Sequence, residues 1–421
     1  MHAPSDAETG RQKLDWARAH MPVLAALRER FCDERPFAGL TVAVCSHIEA
    51  KTGILLETLA AAGAEVVFTG SEPGSSQDDV VAALNEQDGI TGYARRGVSE
   101  GRLAELHAQA LEHEPALILD DAAELTARLA HLRPDLLEWL RGVCEQTTTG
   151  VQRIRAMVAD GALRFPAYAV NQTPMKHEFD NIHGTGESAL TNLMLTTNLL
   201  LAGKQVVVCG YGDCGVGIAH KARAWGAQVT VTEVEPRRAL RAHMNGLAVR
   251  PMAEAAEIGE LFITATGNRE VIRPEHMERM RDGAVLANAG HFNVEIDADG
   301  LAALAAHRRE ARDGIEAYQL ADGREIYLVC EGRLVNLAAP TAMGHPAEVM
   351  DQTFAMQFMA ARHLLAHRDG LAAGVHVVPD AVDAEVASLK LETLGIAIDA
   401  LTEGQQRFLD AWRTDDILHG G

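Results

Sequence analysis

The sequence predicts an α/β protein: two doubly wound parallel-sheet domains joined by a two-segment hinge, with a small helical tail behind them. Three observations predict this. Apolar runs of strand length alternate with helical patterns from Leu40 onward, as βαβ units of a parallel sheet require. A glycine turn, Gly210-Tyr211-Gly212-Asp213-Cys214-Gly215, stands in mid-chain between an apolar run and a helical segment, Ile218 to Trp225. Strand-and-helix patterns flank that unit on both sides, so it reads as an inserted domain on two crossovers, and paired crossovers make a hinge. The expected division is 1–182 (first segment of one domain), 183–344 (inserted domain), 345–395 (second segment) and 396–421 (tail).

In chain order, Leu40 to Cys45 reads as a strand, Lys51 to Ala62 as a helix and Glu65 to Thr69 as a strand. Ala116 to Leu119 is a further strand that closes on Asp120-Asp121. Glu145 to Gly150 precedes a helix from Val151, and Phe165 to Val170 is a short strand leading into Asn171 to Asn181. A long helical pattern, about Glu187 to Leu201, connects to the glycine turn. Strands near Leu261–Thr264 and Ala284–Ala287 follow, then a helix from Ala347 to about His367 and a polar helical tail.

Composition narrows the function. Of 421 residues, 47% are hydrophobic and 23% charged, ordinary for a soluble globular chain. A formal charge of −21 argues against nucleic acid or an anionic membrane as partner, because both need basic surface. No apolar run reaches membrane-span length and the start lacks a signal-peptide core, so a cytoplasmic location is expected. The six cysteines form no C-x-x-C pair or disulfide framework, and the 18 histidines form no H-E-x-x-H pattern, so no catalytic metal is expected.

The glycine turn carries the first chemistry. G-x-G-x-x-G in a strand–turn–helix–strand context is the dinucleotide fingerprint. Gly210 permits the tight turn, Gly212 admits a pyrophosphate against the backbone, and Gly215 allows close helix packing. Glu233, about twenty residues on, is placed to accept the ribose hydroxyls and to repel a 2′-phosphate, which favours NAD over NADP. Thr266 and Asn268 follow a strand of the same unit and are expected to border the cofactor, and Thr147 to Thr149 offer hydroxyls to it.

Lys176 and Asp180 are four apart, hence on one helical face, and Asn171 and Asn181 crowd the same stretch. A surface ion pair is the bland reading, but convergence at a domain boundary favours a site. Desolvation would lower the lysine pKa and the carboxylate would raise it, so the spacing alone leaves the balance open. His47, His291 and His345 lie at strand or turn ends, where ligands of parallel sheets sit.

Together these segments resemble the S-adenosylhomocysteine hydrolase family over nearly the whole chain. The carrying motifs are SSQDD (75–79), TTTGV (147–151), KHEFDN (176–181), GYGDCGVG (210–217), TATGN (264–268), NAGHFNVEID (288–297), EGRLVNLAA (331–339) and MGHP (343–346). HIEAKT (47–52), HGTGES (183–188) and a tail without a terminal Lys/Tyr extension resemble the family's shorter form. The resemblance implies tightly bound NAD, regenerated each turnover, and an adenine nucleoside as substrate. It implies 3′-hydroxyl oxidation, C4′ deprotonation, loss of the 5′ substituent and 3′-ketone reduction. By position Lys176, Asp180 and Asn181 serve the oxidation and deprotonation, His47 and Asp121 serve the 5′ group and water, and His291, with His345, lines the closed cleft. Glu49, Lys51, Gln77, Gln146, Thr147 and His345 are expected to bind substrate. Asp213, Thr147, Thr148, Thr149, Asn181, Thr266, Asn268, Asn288 and Asn336 join Gly210, Gly212, Gly215 and Glu233 around NAD. A homotetramer is implied as well.

Departures gather where substrate should lie: Gln146 replaces the family's glutamate, Gln172 its aspartate and His183 its tyrosine. They lead to a first reading as a divergent member that eliminates water from an adenine nucleoside to give a 4′,5′-unsaturated product, as in angustmycin-type antibiotics. The alternative is an authentic S-adenosylhomocysteine hydrolase. A third reading, a non-catalytic NAD-binding paralogue, fits poorly with the retained Lys176, Asp180, His47, His291 and Asp121.

Overall fold

A computed structural model describes residues 6–412. The first five residues and 413–421, the end of the expected tail, lie outside the described part. Fifteen strands form two sheets. The first comprises β1 (Thr41–Ser46), β2 (Glu65–Gly70), β3 (Ile90–Tyr93), β4 (Leu117–Asp120), β5 (Gly142–Glu145) and β6 (Pro166–Ala169). The second comprises β7 (Gln205–Cys209), β8 (Gln228–Thr232), β9 (Ala248–Val249), β10 (Leu261–Thr264), β11 (Ala284–Asn288), β12 (Ala305–Arg312), β13 (Ile315–Leu320) and β14 (Glu325–Val329). β15 (Gly374–His376) then returns to the first sheet and pairs parallel with β6.

The strand orders are β15-β6-β5-β4-β1-β2-β3 and β12-β13-β14-β11-β10-β7-β8-β9. Each reverses direction of winding about its first strand, β1 or β7, and such switch points open crevices at the strands' carboxyl ends. Both sheets are apolar on both faces, as sheets covered by helices must be. Val42, Val44 and Phe68 face one core of the first sheet, and Ala43, Cys45 and Val67 face the other. In the second sheet Val206 and Val208 face one side, Val207 and Cys209 the opposite one.

The helix Ala347–Ala366 belongs to the first sheet's core through Phe354, Phe358 and Met359. Its fully buried Asp351 accepts the backbone N–H groups of Val23 (3.0 Å) and Leu24 (2.9 Å), the free donors at the start of helix Pro22–Phe31. Helix Pro22–Phe31 and the helix that follows the second sheet are thereby joined in one unit.

The two parallel sheets and the helical tail segments are present as expected. Three things differ. β3 and β5 are strands that the sequence reading does not name, since glycine and polar residues break both apolar runs (Ile90-Thr91-Gly92-Tyr93 and Gly142-Val143-Cys144-Glu145). β12 and β13 are antiparallel, so the second sheet carries a hairpin edge. The helix expected from Ile218 starts at Asp213, straight from the glycine turn. No helix among the described residues is long and apolar enough to cross a membrane.

Candidate active site

The carboxyl ends of both sheets face one cleft of about 1050 Å³. Three groups of side chains line it.

The first is built on the turn after β6. Residues His177–Gly184 form a π-helical segment, whose i→i+5 bonding brings residues five apart toward one face. Lys176 Nζ therefore reaches both Asp180 Oδ1 (2.8 Å) and Asn181 Oδ1 (2.7 Å), where a regular helix would give it only the first. Asn181 donates onward to Asn171 Oδ1 (3.2 Å), and Asn171 to Thr148 Oγ1 (2.9 Å). Asp180 also accepts from Thr353 Oγ1 (2.8 Å) and lies 3.2 Å from His345 Nδ1. Burial alone would raise the Asp180 carboxyl, but Lys176 and His345 outweigh it and hold the group well below the ordinary carboxylate range. Both groups are buried and hydrogen-bonded to each other, unlike the partners of a surface salt bridge.

The second group joins the sheets. His47 follows β1, Asp121 follows β4, Gln146 follows β5, and His291 arrives from the end of β11. His47 Nδ1 bonds Ser75 Oγ (2.8 Å), while its Nε2 lies 3.5 Å from Asp121 Oδ2. His291 Nδ1 lies 3.5 Å from Asp121 Oδ1, and Gln146 Nε2 donates to Asp121 Oδ2 at 2.9 Å. Burial, opposed by Asp121, pushes the His291 imidazole below its usual pKa and keeps it neutral at pH 7. His291 Nε2, Asp121 Oδ1 and Gln146 Oε1 have no hydrogen-bond partner, so three buried polar atoms await one in the cleft. One ligand atom from each of His47, Asp121 and His291 lies within 4.8 Å of the others, a spacing suited to holding one metal ion. Their separation in sequence concealed that cluster.

A strained turn aims Asp121. Ala122 (φ 59°) and Ala123 (φ 52°) both adopt left-handed backbone, costly for alanine. Glu145 holds them there: its buried carboxylate accepts Ala122 N (3.2 Å), Ala123 N (2.8 Å), and both Thr147 N and Thr147 Oγ1 (2.7 Å). Burial, with Asp120 and Asp121 nearby, raises the Glu145 carboxyl well above its ordinary value. Glu145 was missed as a functional residue, although it stands directly before Gln146 in the quoted run. Ser75 and Thr353 were missed as well, since a lone hydroxyl carries no pattern.

The third group is the dinucleotide cradle. Gly210 has φ 99° and no room for a Cβ against the Ala265 carbonyl (2.9 Å), and a Cβ on Gly215 would strike the Gly210 carbonyl. Gly212 is open, its nearest neighbour being the Arg238 guanidinium at 3.7 Å, so backbone there is free to meet a phosphate. Asp213, Glu233, Thr148, Thr149, Thr266, Asn268 and Asn336 all line the same part of the cleft. Glu233 accepts Tyr211 N (2.7 Å), Val234 N (2.7 Å) and Glu235 N (3.0 Å), which fixes its carboxylate at the end of β8. Asn336 donates to Ser188 Oγ (3.1 Å) and leaves its buried Oδ1 without a partner. An open glycine approach, an acid at the second strand's end and an orphaned amide oxygen fit NAD. Glu295 orders the neighbouring loop by accepting Thr266 Oγ1 (2.7 Å) and Gly267 N (2.8 Å).

Three expected residues do not face the cleft. Gln77, at the N-cap position of helix Asp78–Leu84, turns outward, its Oε1 accepting from Lys13 Nζ (3.0 Å). Lys51 bonds Glu49 Oε2 (2.7 Å) and the Met343 carbonyl, so it clasps the crossover segment while Glu49 faces the cavity. Asn288 is fully buried and spent on structure: it accepts Thr264 Oγ1 (2.9 Å) and Gly290 N (2.6 Å) and donates to the Gly332, Gly290 and Phe292 carbonyls. It shapes the loop that carries His291. Glu49, Gln146, Thr147 and His345 line the cleft as expected.

The chain matches two family models: S-adenosyl-L-homocysteine hydrolase over residues 2–137, and the NAD binding domain of S-adenosyl-L-homocysteine hydrolase over 181–342. It is 54% identical over 409 residues to the adenosylhomocysteinase of Halobacterium salinarum, covering 97% of this chain and 96% of that one. The S-inosyl-L-homocysteine hydrolase of Methanopyrus kandleri is 50% identical over 410 residues (97% and 96%). The adenosylhomocysteinase of Gloeobacter violaceus is 47% identical over 406 residues (96% and 94%).

Proposed function

This chain belongs to the S-adenosyl-L-homocysteine hydrolase family, with NAD as its cofactor, and from that premise we propose that it hydrolyses an S-nucleosyl-homocysteine. S-Adenosylhomocysteine, giving adenosine and homocysteine, is the first choice of substrate. The observation that carries this reading is the meeting, in one cleft, of the Lys176–Asp180–His345 set, the His47–Asp121–His291 set and the dinucleotide cradle. The dehydration reading loses its preference. Relatives at 54% and 47% identity are adenosylhomocysteinases, and Gln146, the departure that suggested it, keeps a place beside Asp121.

When bound, NAD supplies the redox chemistry, oxidising the 3′-hydroxyl at the start and reducing the 3′-ketone at the end. Lys176 donates two N–H bonds, to Asp180 and Asn181, which leaves the amine's lone pair to take the 3′-hydroxyl proton as the ketone forms and to return it as the ketone is reduced. The ionised Asp180 keeps that amine oriented. The ketone acidifies C4′–H, and the proton removed there is held within the same buried set. Loss of the 5′ substituent then gives the 4′,5′-alkene. At the 5′ end the His47 and His291 imidazoles carry the proton that leaves with the sulfur, and Asp121 orients the water that adds to C5′. Asp121 is buried and both imidazoles are largely covered, which limits stray water that would otherwise trap the intermediate.

A second base stays in play because the Methanopyrus kandleri relative is an S-inosyl-L-homocysteine hydrolase. The same reading carries a homotetramer, supported by the exposed apolar side chains of Leu195, Leu199 and Leu200, which a neighbouring subunit would cover. Mass spectrometry of products from NAD-loaded enzyme decides the reaction. Free homocysteine from the adenosyl substrate over many turnovers supports hydrolysis. Cleavage of the inosyl substrate alone moves the assignment to that base, and a product lighter by one water from a 5′-hydroxyl nucleoside restores dehydration.

A further inference from the structure

His47 serves the 5′ end of a substrate only if its proton moves on and off Nε2, the nitrogen that lies 3.5 Å from Asp121 Oδ2. Its other nitrogen, Nδ1, lies 2.8 Å from Ser75 Oγ and 3.5 Å from Ser71 Oγ, both on the loop between β2 and helix Asp78–Leu84. Ser75 is buried and has one hydroxyl proton to give. The Glu72 carbonyl stands 3.3 Å from that hydroxyl, and a carbonyl only accepts. The serine proton therefore goes to Glu72, and towards His47 the serine oxygen is an acceptor. Nδ1 then carries the imidazole proton, which places the lone pair of the neutral ring on Nε2. The reverse assignment, with Ser75 donating to Nδ1, forgoes the bond to Glu72 and leaves no lone pair on the cleft side.

The same loop is tied to the second sheet. The buried Glu72 carboxylate accepts Gly74 N with one oxygen (2.7 Å) and the Arg333 guanidinium with the other (2.5 Å). Arg333 lies 261 residues further on, between β14 and the short helix Val335–Ala338 that carries Asn336. A strained turn delivers it: Cys330 (φ 51°), Glu331 (φ 54°) and Gly332 (φ 76°) are consecutive left-handed residues. Asn288 holds that turn by donating to the Gly332 carbonyl at 2.8 Å. Such a run persists only where surrounding contacts over-determine it, and the chemistry above gives it no use. Without Arg333 the buried Glu72 carboxylate would keep one backbone N–H and no cation. It would then turn towards water and draw its own carbonyl away from Ser75.

We propose that Ser75 is a positioning residue for His47, and that the Arg333–Glu72 ion pair holds the Ser75 loop so that His47 is poised only while the two sheets stand together. The step it serves rests on the hydrolase reading above. As the C5′–S bond breaks, the proton on Nε2 passes to the departing sulfur. When water adds to C5′, Nε2 takes the proton that the water gives up. Nδ1–H stays on Ser75 throughout, so the ring ends the cycle with the protons it began with. The link to Arg333 confines this transfer to the assembled cleft, where the alkene is kept from bulk water.

The test uses full-length, NAD-loaded enzyme and separates the two ends of the nucleoside. Absorbance of reduced cofactor on mixing with adenosine reads the 3′-oxidation, and a thiol reagent reads homocysteine release from S-adenosylhomocysteine. Ser75→Ala, Glu72→Gln and Arg333→Met should oxidise the 3′-hydroxyl within about twofold of wild type, which also controls for folding. Their kcat for homocysteine release should fall about tenfold or more, with KM little changed. Equal loss in both steps in Ser75→Ala would make the serine a structural part only and overturn the proposal. Unimpaired release in Ser75→Ala, or in both ion-pair variants, would overturn it as well. A wild-type enzyme that releases no homocysteine counts against the hydrolase reading instead, and a neutron structure then decides the positioning by itself. Deuterium on His47 Nδ1, with the Ser75 deuteron aimed at the Glu72 carbonyl, supports it; a Ser75 deuteron aimed at His47 overturns it.

Discussion

Gln146 donates its side-chain amide to Asp121 across 2.9 Å, and the same amide lies 3.4 Å from Ser46 Oγ. A carboxylate at that position would face Asp121 with Asp120 and Glu145 close behind. The amide removes that repulsion and leaves its Oε1 for a substrate hydroxyl. Gln146→Glu should therefore set a like charge at hydrogen-bond distance from Asp121, with kcat at pH 7 down about 10-fold. An unchanged kcat would show that the contact between Gln146 and Asp121 does not serve turnover.

Removing Lys176 tests the first proton-transfer set. Lys176→Met leaves Asp180 with only His345 and Thr353. Loss of kcat by about 10²–10⁴-fold is expected from a missing general acid–base. Breaking a buried pair should also lower stability by about 3–5 kcal/mol. Absorbance of reduced cofactor after mixing with nucleoside reads the oxidation step directly, and Lys176→Met should abolish its rise.

Glu145→Gln addresses the strained turn. Four donors converge on the carboxylate, and an amide offers one acceptor oxygen and a donor pair in its place. At least one backbone N–H is left unpaired, at about 1–3 kcal/mol. Denaturant midpoints should fall accordingly. Because Asp121 is aimed by Ala122 and Ala123, kcat should fall more than KM changes. A stable variant with full activity would show that the turn holds itself.

The pH dependence of stability has two opposed parts near the cleft. His291 has a folded pKa below its unfolded value, so its stabilising share is present above the unfolded pKa and is lost as pH falls through the window between the two. Asp120 behaves oppositely. Burial raises it from 3.8 to about 6, against hydrogen bonds from Thr126 and Leu125, so its share is full below 3.8 and lost as pH rises through 6. Denaturant unfolding at pH 5 and 7.5 should show His291→Gln flattening the acid-side loss. In Asp120→Asn the penalty of mutation should shrink as pH rises.

Gly344→Ala probes the second crossover. Gly344 has φ 66°, and a Cβ there would lie 2.7–3.0 Å from the Glu49 carboxylate. Left-handed alanine costs about 1–2 kcal/mol, and the clash pushes Glu49 from its place in the cleft. KM for the nucleoside should rise while NAD binding, followed by fluorescence titration, stays unchanged.

The sequence by itself determined the alternation of two parallel sheets, the NAD fingerprint and the choice of Lys176, Asp180, His47, Asp121 and His291, which line one cleft. Those features are local or collinear: strand ends, glycine turns and contiguous motifs carry their own physical reason. Tertiary structure alone decided what needs contacts between distant segments. It set Asp121 between His47 and His291, clamped Ala122 and Ala123 on Glu145, and brought Asn181 beside Lys176 through a π-helical turn. It also withdrew Gln77, Lys51 and Asn288 from the cleft, because facing a cavity depends on the direction of a side chain relative to the partners that packing brings to it, such as Lys13 for Gln77 and Met343 for Lys51. No spacing rule encodes that direction; packing does.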